Sequence, residues 1–109
     1  MVYLEGRIVA TITLQTHDQV IWGEDFGDAL YIHLLVVHRD FRGRGIGRLL
    51  LQWATERAVE MKRRFLRLDC WAENAALRSY YEKAGFSPHG EIELNGWRSA
   101  RYEKVVGEG

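Results

Sequence analysis

A chain of 109 residues with 47% hydrophobic content can bury one small core, so a single domain over residues 1–109 is expected. Its 15 basic and 15 acidic residues cancel, which removes the global field that would draw it to nucleic acid or to an acidic membrane surface. One cysteine excludes an internal disulfide, and no apolar run is long enough for a secretory signal or a membrane span, so a cytoplasmic protein is expected.

Residues 2–5 and 7–15 read as two strands of a hairpin, the second rich in β-branched side chains. Residues 16–28 form a polar, acidic connection. The run 29–37 is too apolar for a half-exposed strand and reads as a central strand covered on both faces. Arg42-Gly43-Arg44-Gly45-Ile46-Gly47 makes a glycine-rich turn after it. A helix is expected from Ile46 to about Arg64, with Leu50, Trp53, Ala54, Ala58 and Met61 as its core stripe at three- and four-residue spacing. Residues 65–71 read as a second central strand, parallel to the first because a helical crossover joins them. Asn74 is a good N-cap for a helix over 75–84, and Gly85 suits its C-terminal stop. Residues 87–94 and 97–106 flank Asn95-Gly96, a strong hairpin signal. The sum is an α/β fold, a mixed sheet of about six strands with two helices. Open sheets of this kind bind ligands beyond the carboxyl ends of their parallel strands.

Strand, glycine-rich loop and helix start follow one another without a gap between residues 33 and 47. The first turn of a helix has unpaired N–H groups and a partial positive charge. Glycines let a ligand come close to the backbone. Such a junction holds a phosphate or a pyrophosphate. The Gly-Lys-Ser/Thr ending of a nucleotide P-loop is absent, and the glycines alternate as G-x-G-x-G, not as the G-x-G-x-x-G of dinucleotide sites. The local charge suits a polyanionic small ligand. Arg39, Arg42, Arg44, Arg48, Arg57, Lys62, Arg63, Arg64 and Arg67 stand against Asp40, Glu56 and Glu60.

The spacing Arg42-x-x-Gly45-x-Gly47, preceded by Leu35-Val36-Val37 and His38, resembles the cofactor loop of the GCN5-related N-acetyltransferases, the GNAT family, which bind the pyrophosphate of acetyl-coenzyme A. A second block, residues 66–86, carries a strand, Asn74, a helix with Tyr81 and then Gly85-Phe86, in the order of that family's later motif. The resemblance runs from about Val2 to Val106. It implies a GNAT-type acyltransferase fold. It also implies an N-acetyltransferase that moves the acetyl group of acetyl-CoA, as co-substrate, to a primary amine of a small molecule or peptide by direct attack.

On this resemblance the amides of Gly43, Arg44, Gly45, Ile46, Gly47 and Arg48 grip the pyrophosphate, and Arg42 and Arg44 add side-chain charge. Leu35, Val36 and Val37 pair through their backbone with the pantetheine arm, and the Val37 amide polarises the acetyl carbonyl. Asn74 caps its helix and touches the same arm. Tyr81 matches the tyrosine beside the sulfur that acts as general acid; a phenol near about 10 and a thiol near about 8.5 are close enough for a hydrogen bond that strengthens as charge builds. Tyr80 is assigned to the core or rim.

The general base stays open between three candidates. Strand alternation puts His33 on the face of Leu35 and Val37, and residues 35–42 resemble the segment of family members in which a histidine relays the amine's proton. Asp69 stands where other members have a carboxylate. Water is the third. The four histidines show no paired spacing for a metal, and no metal is expected.

Members of the family usually begin with a strand and two helices, and here the chain opens almost directly on the following hairpin. The missing piece would cover the acceptor site and one sheet edge. An exposed edge near residues 2–4 is therefore expected, with self-association into a homo-oligomer through it. The alternative to an enzyme is a non-catalytic acyl-CoA-binding module, or one part of an assembly that supplies that piece. Nucleic acid is not an expected partner, because no aromatic stacking platform accompanies Arg-Gly-Arg-Gly.

Overall fold

The computed structural model describes residues 2–4, 7–23, 27–41, 43 and 45–107. A six-stranded mixed sheet runs in the order β1-β2-β3-β4-β6-β5. Its strands are β1 (Val2–Leu4), β2 (Arg7–Gln15), β3 (Ala29–Val37), β4 (Phe65–Trp71), β5 (Ser87–Leu94) and β6 (Trp97–Val105). Only β3 and β4 are parallel, joined by the crossover helix α2 (Ile46–Glu60); α3 (Ala75–Lys83) follows β4. The β5–β6 turn has positive φ at both Asn95 (51°) and Gly96 (81°), the conformation that the Asn-Gly pair favours.

Both long helices lie on one face of the sheet. Leu66, Leu68 and Cys70 alternate into the core from β4 and meet Leu51, Ala54 and Ala58 of α2, Tyr81 of α3, and Phe86. Leu30 and Ile32 complete the core from β3, and Ala100 and Tyr102 from β6. Arg78 ties α3 down: its Nε donates to the Tyr102 hydroxyl at 3.0 Å, and that hydroxyl donates to Glu82 at 2.6 Å.

The opposite face, called the far face below, has a lighter cover that the polar pattern of residues 16–28 did not announce. A one-turn helix, α1 (Gln19–Trp22), is capped by Asp18, whose carboxylate accepts from the Ile21 amide at 3.2 Å. It is too short to show a period. It presents Trp22 to Tyr31, with ring centroids 6.2 Å apart, and to His89 at 5.3 Å. The Arg67 guanidinium lies 4.8 Å over the same ring, and is held there by Glu103 at 2.8 Å and the Tyr31 hydroxyl at 3.0 Å.

Three further expectations need correction. The core stripe of α2 is Leu50, Leu51, Ala54 and Ala58; Trp53 and Met61 are exposed. The sheet lies under the small residues of that stripe, which leaves Trp53 on the helix flank beneath the Arg57 guanidinium at 5.9 Å. The helix stops at Glu60 rather than near Arg64, because Lys62 turns left-handed with φ 59°. And β3 is a covered central strand only over Ala29–Ile32, since Leu34 is 50% and Val36 48% exposed.

Candidate active site

The opening of β3 comes from its pairing. β3 keeps β2 beside it as far as Val37, but pairs with β4 only at Ala29–Tyr31. Beyond Tyr31 the two parallel strands part, and the β4-side edge of β3 has no strand against it among the described residues. A bulge coincides with the parting. The register with β2 passes from Leu14↔Ile32 to Thr13↔Leu34, which leaves His33 as an extra residue. Bulges bend a strand and sharpen its twist. This one also resets the alternation, so that Ile32 and Leu35 share the core face.

A cleft of about 700 Å³ fills the gap. Leu35, Val36 and Val37 form its strand wall, Gly43, Gly45, Ile46, Gly47 and Arg48 its floor, and Asn74, Tyr80 and Tyr81 its α3 wall. The helix start on the floor is bare. Gly45 is the N-cap of α2, in the left-handed region at φ 77°, with no side-chain cap and no acidic residue in the first turn. Its N–H groups and partial positive charge are thereby left for a ligand. Asn74 caps α3 instead, its Oδ1 accepting from the Leu77 amide at 3.0 Å. Arg48 is partly committed elsewhere, donating through Nη2 to the Lys83 carbonyl at 3.2 Å. Arg42 and Arg44 lie outside the described residues.

Tyr80 does not turn away from this site. It lines the cleft beside Tyr81, and its hydroxyl lies over the first turn of α2, 2.5 Å from where a Cβ on Gly47 would stand. Gly47 is therefore required for space, and Gly45 for conformation. A signal for Tyr80 was present in the spacing: Ala76, Leu77, Tyr80 and Tyr81 all line the cleft, at positions i, i+1, i+4 and i+5 of one helix face. Tyr81 is buried, its ring edge-on to Phe86 at 5.9 Å and to Tyr80 at 5.5 Å. Burial, then the neighbouring Cys70, Tyr80 and Asp69, push its phenol up to about 12.

His33 and Asp69 are not in the cleft wall, although the His33 charge acts on Asp69. Asp69 alternates away from the buried Leu68 and Cys70. The Ser99 hydroxyl, buried on β6, donates to Asp69 Oδ2 at 2.5 Å. Burial raises the Asp69 carboxyl above the usual range; the Ser99 hydrogen bond opposes this, the Asp18 charge adds to it, and His33 opposes it. The bulge breaks the alternation on which the expected placement of His33 with Leu35 and Val37 rested. Cys70 is buried with its thiol pushed up by that burial, which leaves it a poor nucleophile.

The sequence profile of the Acetyltransferase (GNAT) family matches residues 1–86. The chain belongs to this family. It is 39% identical over 70 residues to the uncharacterized N-acetyltransferase YesJ of Bacillus subtilis (strain 168), which covers 63% of this chain and 39% of that protein. It is 34% identical over 94 residues to S-(2-succino)cysteine N-acetyltransferase of the same organism, covering 83% of this chain and 54% of that one. This GNAT chain thus spans about half the length, or less, of these curated relatives.

Solved structures share the fold. A Bacillus anthracis str. Ames protein assigned as a streptothricin acetyltransferase, solved in complex with acetyl coenzyme A, superposes with a TM-score of 0.80 at 22% identity over 95% of this chain and 59% of that one. The ribosomal-protein-S18-alanine N-acetyltransferase of Escherichia coli gives 0.77 at 18% identity over 98% and 67%.

The donor set of this GNAT domain fits acetyl-CoA. An uncapped helix start suits a pyrophosphate, and a strand edge with no neighbour suits an extended arm with amide groups. A smaller hollow of about 440 Å³ between α2, Ala84 and Lys104 shares Gly45 and Arg48 with the cleft but has neither the strand edge nor a tyrosine.

Proposed function

We propose that the protein is an acetyl-CoA-dependent N-acetyltransferase acting on a primary amine of a small molecule or peptide by direct attack. The observation that carries this reading is the parting of β3 from β4 over the bare start of α2, with Tyr81 on one side of the gap and Asp69 on the other. Acetyl-CoA supplies an acetyl thioester. Gly43, Gly45, Ile46, Gly47 and Arg48 hold its pyrophosphate, with Arg42 and Arg44 adding charge, and Leu35, Val36 and Val37 hold its arm. The acceptor comes from the far face.

Asp69 is the base of this reading, and His33, exposed and acting on Asp69 through its charge, exchanges the proton with solvent. The amine nitrogen forms its bond to the acetyl carbon, the carbon–sulfur bond breaks, and the proton lost by nitrogen balances the one gained by sulfur. Tyr81 donates a hydrogen bond to that sulfur. A phenol at about 12 is a weaker acid than a thiol near about 8.5, so outright transfer from Tyr81 would run uphill by roughly 5 kcal/mol. Tyr81 is then a donor whose hydrogen bond strengthens as the thiolate forms, and water delivers the final proton. This refines the general-acid role expected from the motif.

A cytoplasmic setting accords with this chemistry; among the described residues no helix is long and apolar enough to cross a membrane. Self-association through the outer strand β1 is part of the same reading. Coenzyme A binding by calorimetry, run beside a thioester-cleavage assay against a panel of amines, tests the whole. Binding with amine-dependent cleavage supports the enzyme. Binding without cleavage for any amine leaves the non-catalytic module.

A further inference from the structure

Trp71 and Trp97 stack on each other with ring centroids 5.6 Å apart and planes 22° from parallel, yet 43% and 53% of their surfaces are exposed. Two large indoles half in water are an uncommon surface feature, and such patches mark places where something binds. Their place in the fold ties them to Asp69. Trp71 is two residues beyond Asp69 on β4, so both side chains rise from the far face, roughly 7 Å apart along the strand. Ser99, which holds the Asp69 carboxylate, lies opposite Trp71 in register. Trp97 enters from the first position of β6, at the turn of the β5–β6 hairpin.

Carboxylates beside the pair suit an amine. Asp69 is one carboxylate of the patch, and the field of a second, Asp18, reaches it. Arg98 alternates to the other face and is paired with Glu91 at 3.4 Å, while Arg101, opposite Asp69 in register, lies over the Trp22 ring at 5.4 Å. Carboxylates and the faces of indole rings both favour an ammonium group, and indole faces also favour a flat apolar body.

We infer that Trp71 and Trp97 form the acceptor platform, and that the acceptor is a primary amine carried by a short arm on a planar aromatic ring. The ring lies on the exposed indole surface while the arm places the nitrogen at Asp69. This rests on the acetyl-transfer reading for what happens to the amine, but not for its binding.

Calorimetric titration of the full chain with 2-phenylethylamine and with n-butylamine, in the presence of coenzyme A, tests the platform, and the same two amines serve as acceptors in thioester cleavage. The aromatic amine is expected to bind roughly tenfold tighter or more, the size of effect an apolar subsite gives. Trp97→Ala and Trp71→Leu should each collapse that ratio, while Trp97→Phe, which keeps a ring, retains most of it. Equal binding of the two amines by the parent, or a ratio that survives both ring deletions, overturns the inference. Aromatic-selective binding without acetylated product supports the platform and refutes the transfer reading. Product from both amines without selectivity does the reverse.

Discussion

Tyr81 shows how one environment serves two ends. Burial raises its phenol to about 12, so it stays protonated well above neutral pH, and in the proposed reaction it is the hydrogen-bond donor to the leaving thiolate. Tyr81→Phe is expected to leave coenzyme A affinity nearly intact and to lower the turnover number by roughly 10²-fold, measured by thioester cleavage. The same shift has a stability consequence. In the unfolded chain the phenol ionises near about 10, while in the folded chain it stays neutral until about 12. Its contribution to stability is therefore whole below the lower value and is lost as pH rises through the upper one. At Asp69 the sign is alike, because its carboxyl is also raised: stability is whole below the ordinary carboxyl range and declines as pH rises through the raised value. Asp69→Asn should then raise the melting temperature at pH 7 while it depresses turnover. Ser99→Ala removes a hydrogen bond that lowers the Asp69 pKa, so the acidic limb of the pH–rate profile should move to higher pH, and Ser99→Thr should move it back. A limb that stays in place in Ser99→Ala would take the base role from Asp69.

At the scale of elements, the site is a meeting of α2, α3 and the open end of β3. The contact between the helices is narrow. A Cβ on Gly47 would stand 2.5 Å from the Tyr80 hydroxyl but 3.5 Å from its ring carbon Cζ. Gly47→Ala should thus destabilise the fold by about 1–3 kcal/mol, the usual cost of overpacking. Adding Tyr80→Phe removes the clashing oxygen and leaves ordinary van der Waals contact, so the double variant should recover most of the loss in denaturant melts. If the two substitutions simply add, the hydroxyl does not rest on α2. The bulge at His33 is the second element-scale device. It falls where β4 leaves β3, and it interrupts the alternation at His33, whose charge acts on Asp69.

The whole molecule is a slab measuring 41 × 35 × 22 Å, two layers thick rather than three. Both long helices cover one face, and among the described residues the far face has only α1 and its Trp22 cluster as cover. Leu34 and Val36 are left half exposed there, and β1 stands at the sheet edge. Exposed strands and apolar patches invite another chain. Sedimentation velocity at micromolar concentration should accordingly show a species heavier than one chain. A clean monomer with little binding of an apolar dye would mean that the slab is self-sufficient and that β1 protects its own edge.

Local patterns determined much of this protein. The apolar run of β3, the glycine-rich turn, Asn74 as a cap, Gly85 as a stop and Asn95-Gly96 as a hairpin each act through near neighbours, and their elements stand where the spacing puts them. The family's motifs likewise marked Leu35–Val37, Gly43–Arg48, Asn74 and Tyr81, and the described members of that set meet in one cleft. The tertiary structure decided what depends on distant partners. Whether β3 is covered along its length depends on where β4, some thirty residues away, stops pairing with it. The face taken by His33 depends on a bulge opposite Thr13, to which strict alternation is blind. That Tyr80 rests on Gly47, that Ser99 holds Asp69, and that Trp71 meets Trp97 are facts of packing between segments far apart in sequence. A periodic pattern reports which side of an element is apolar; it does not report which other element will be waiting there.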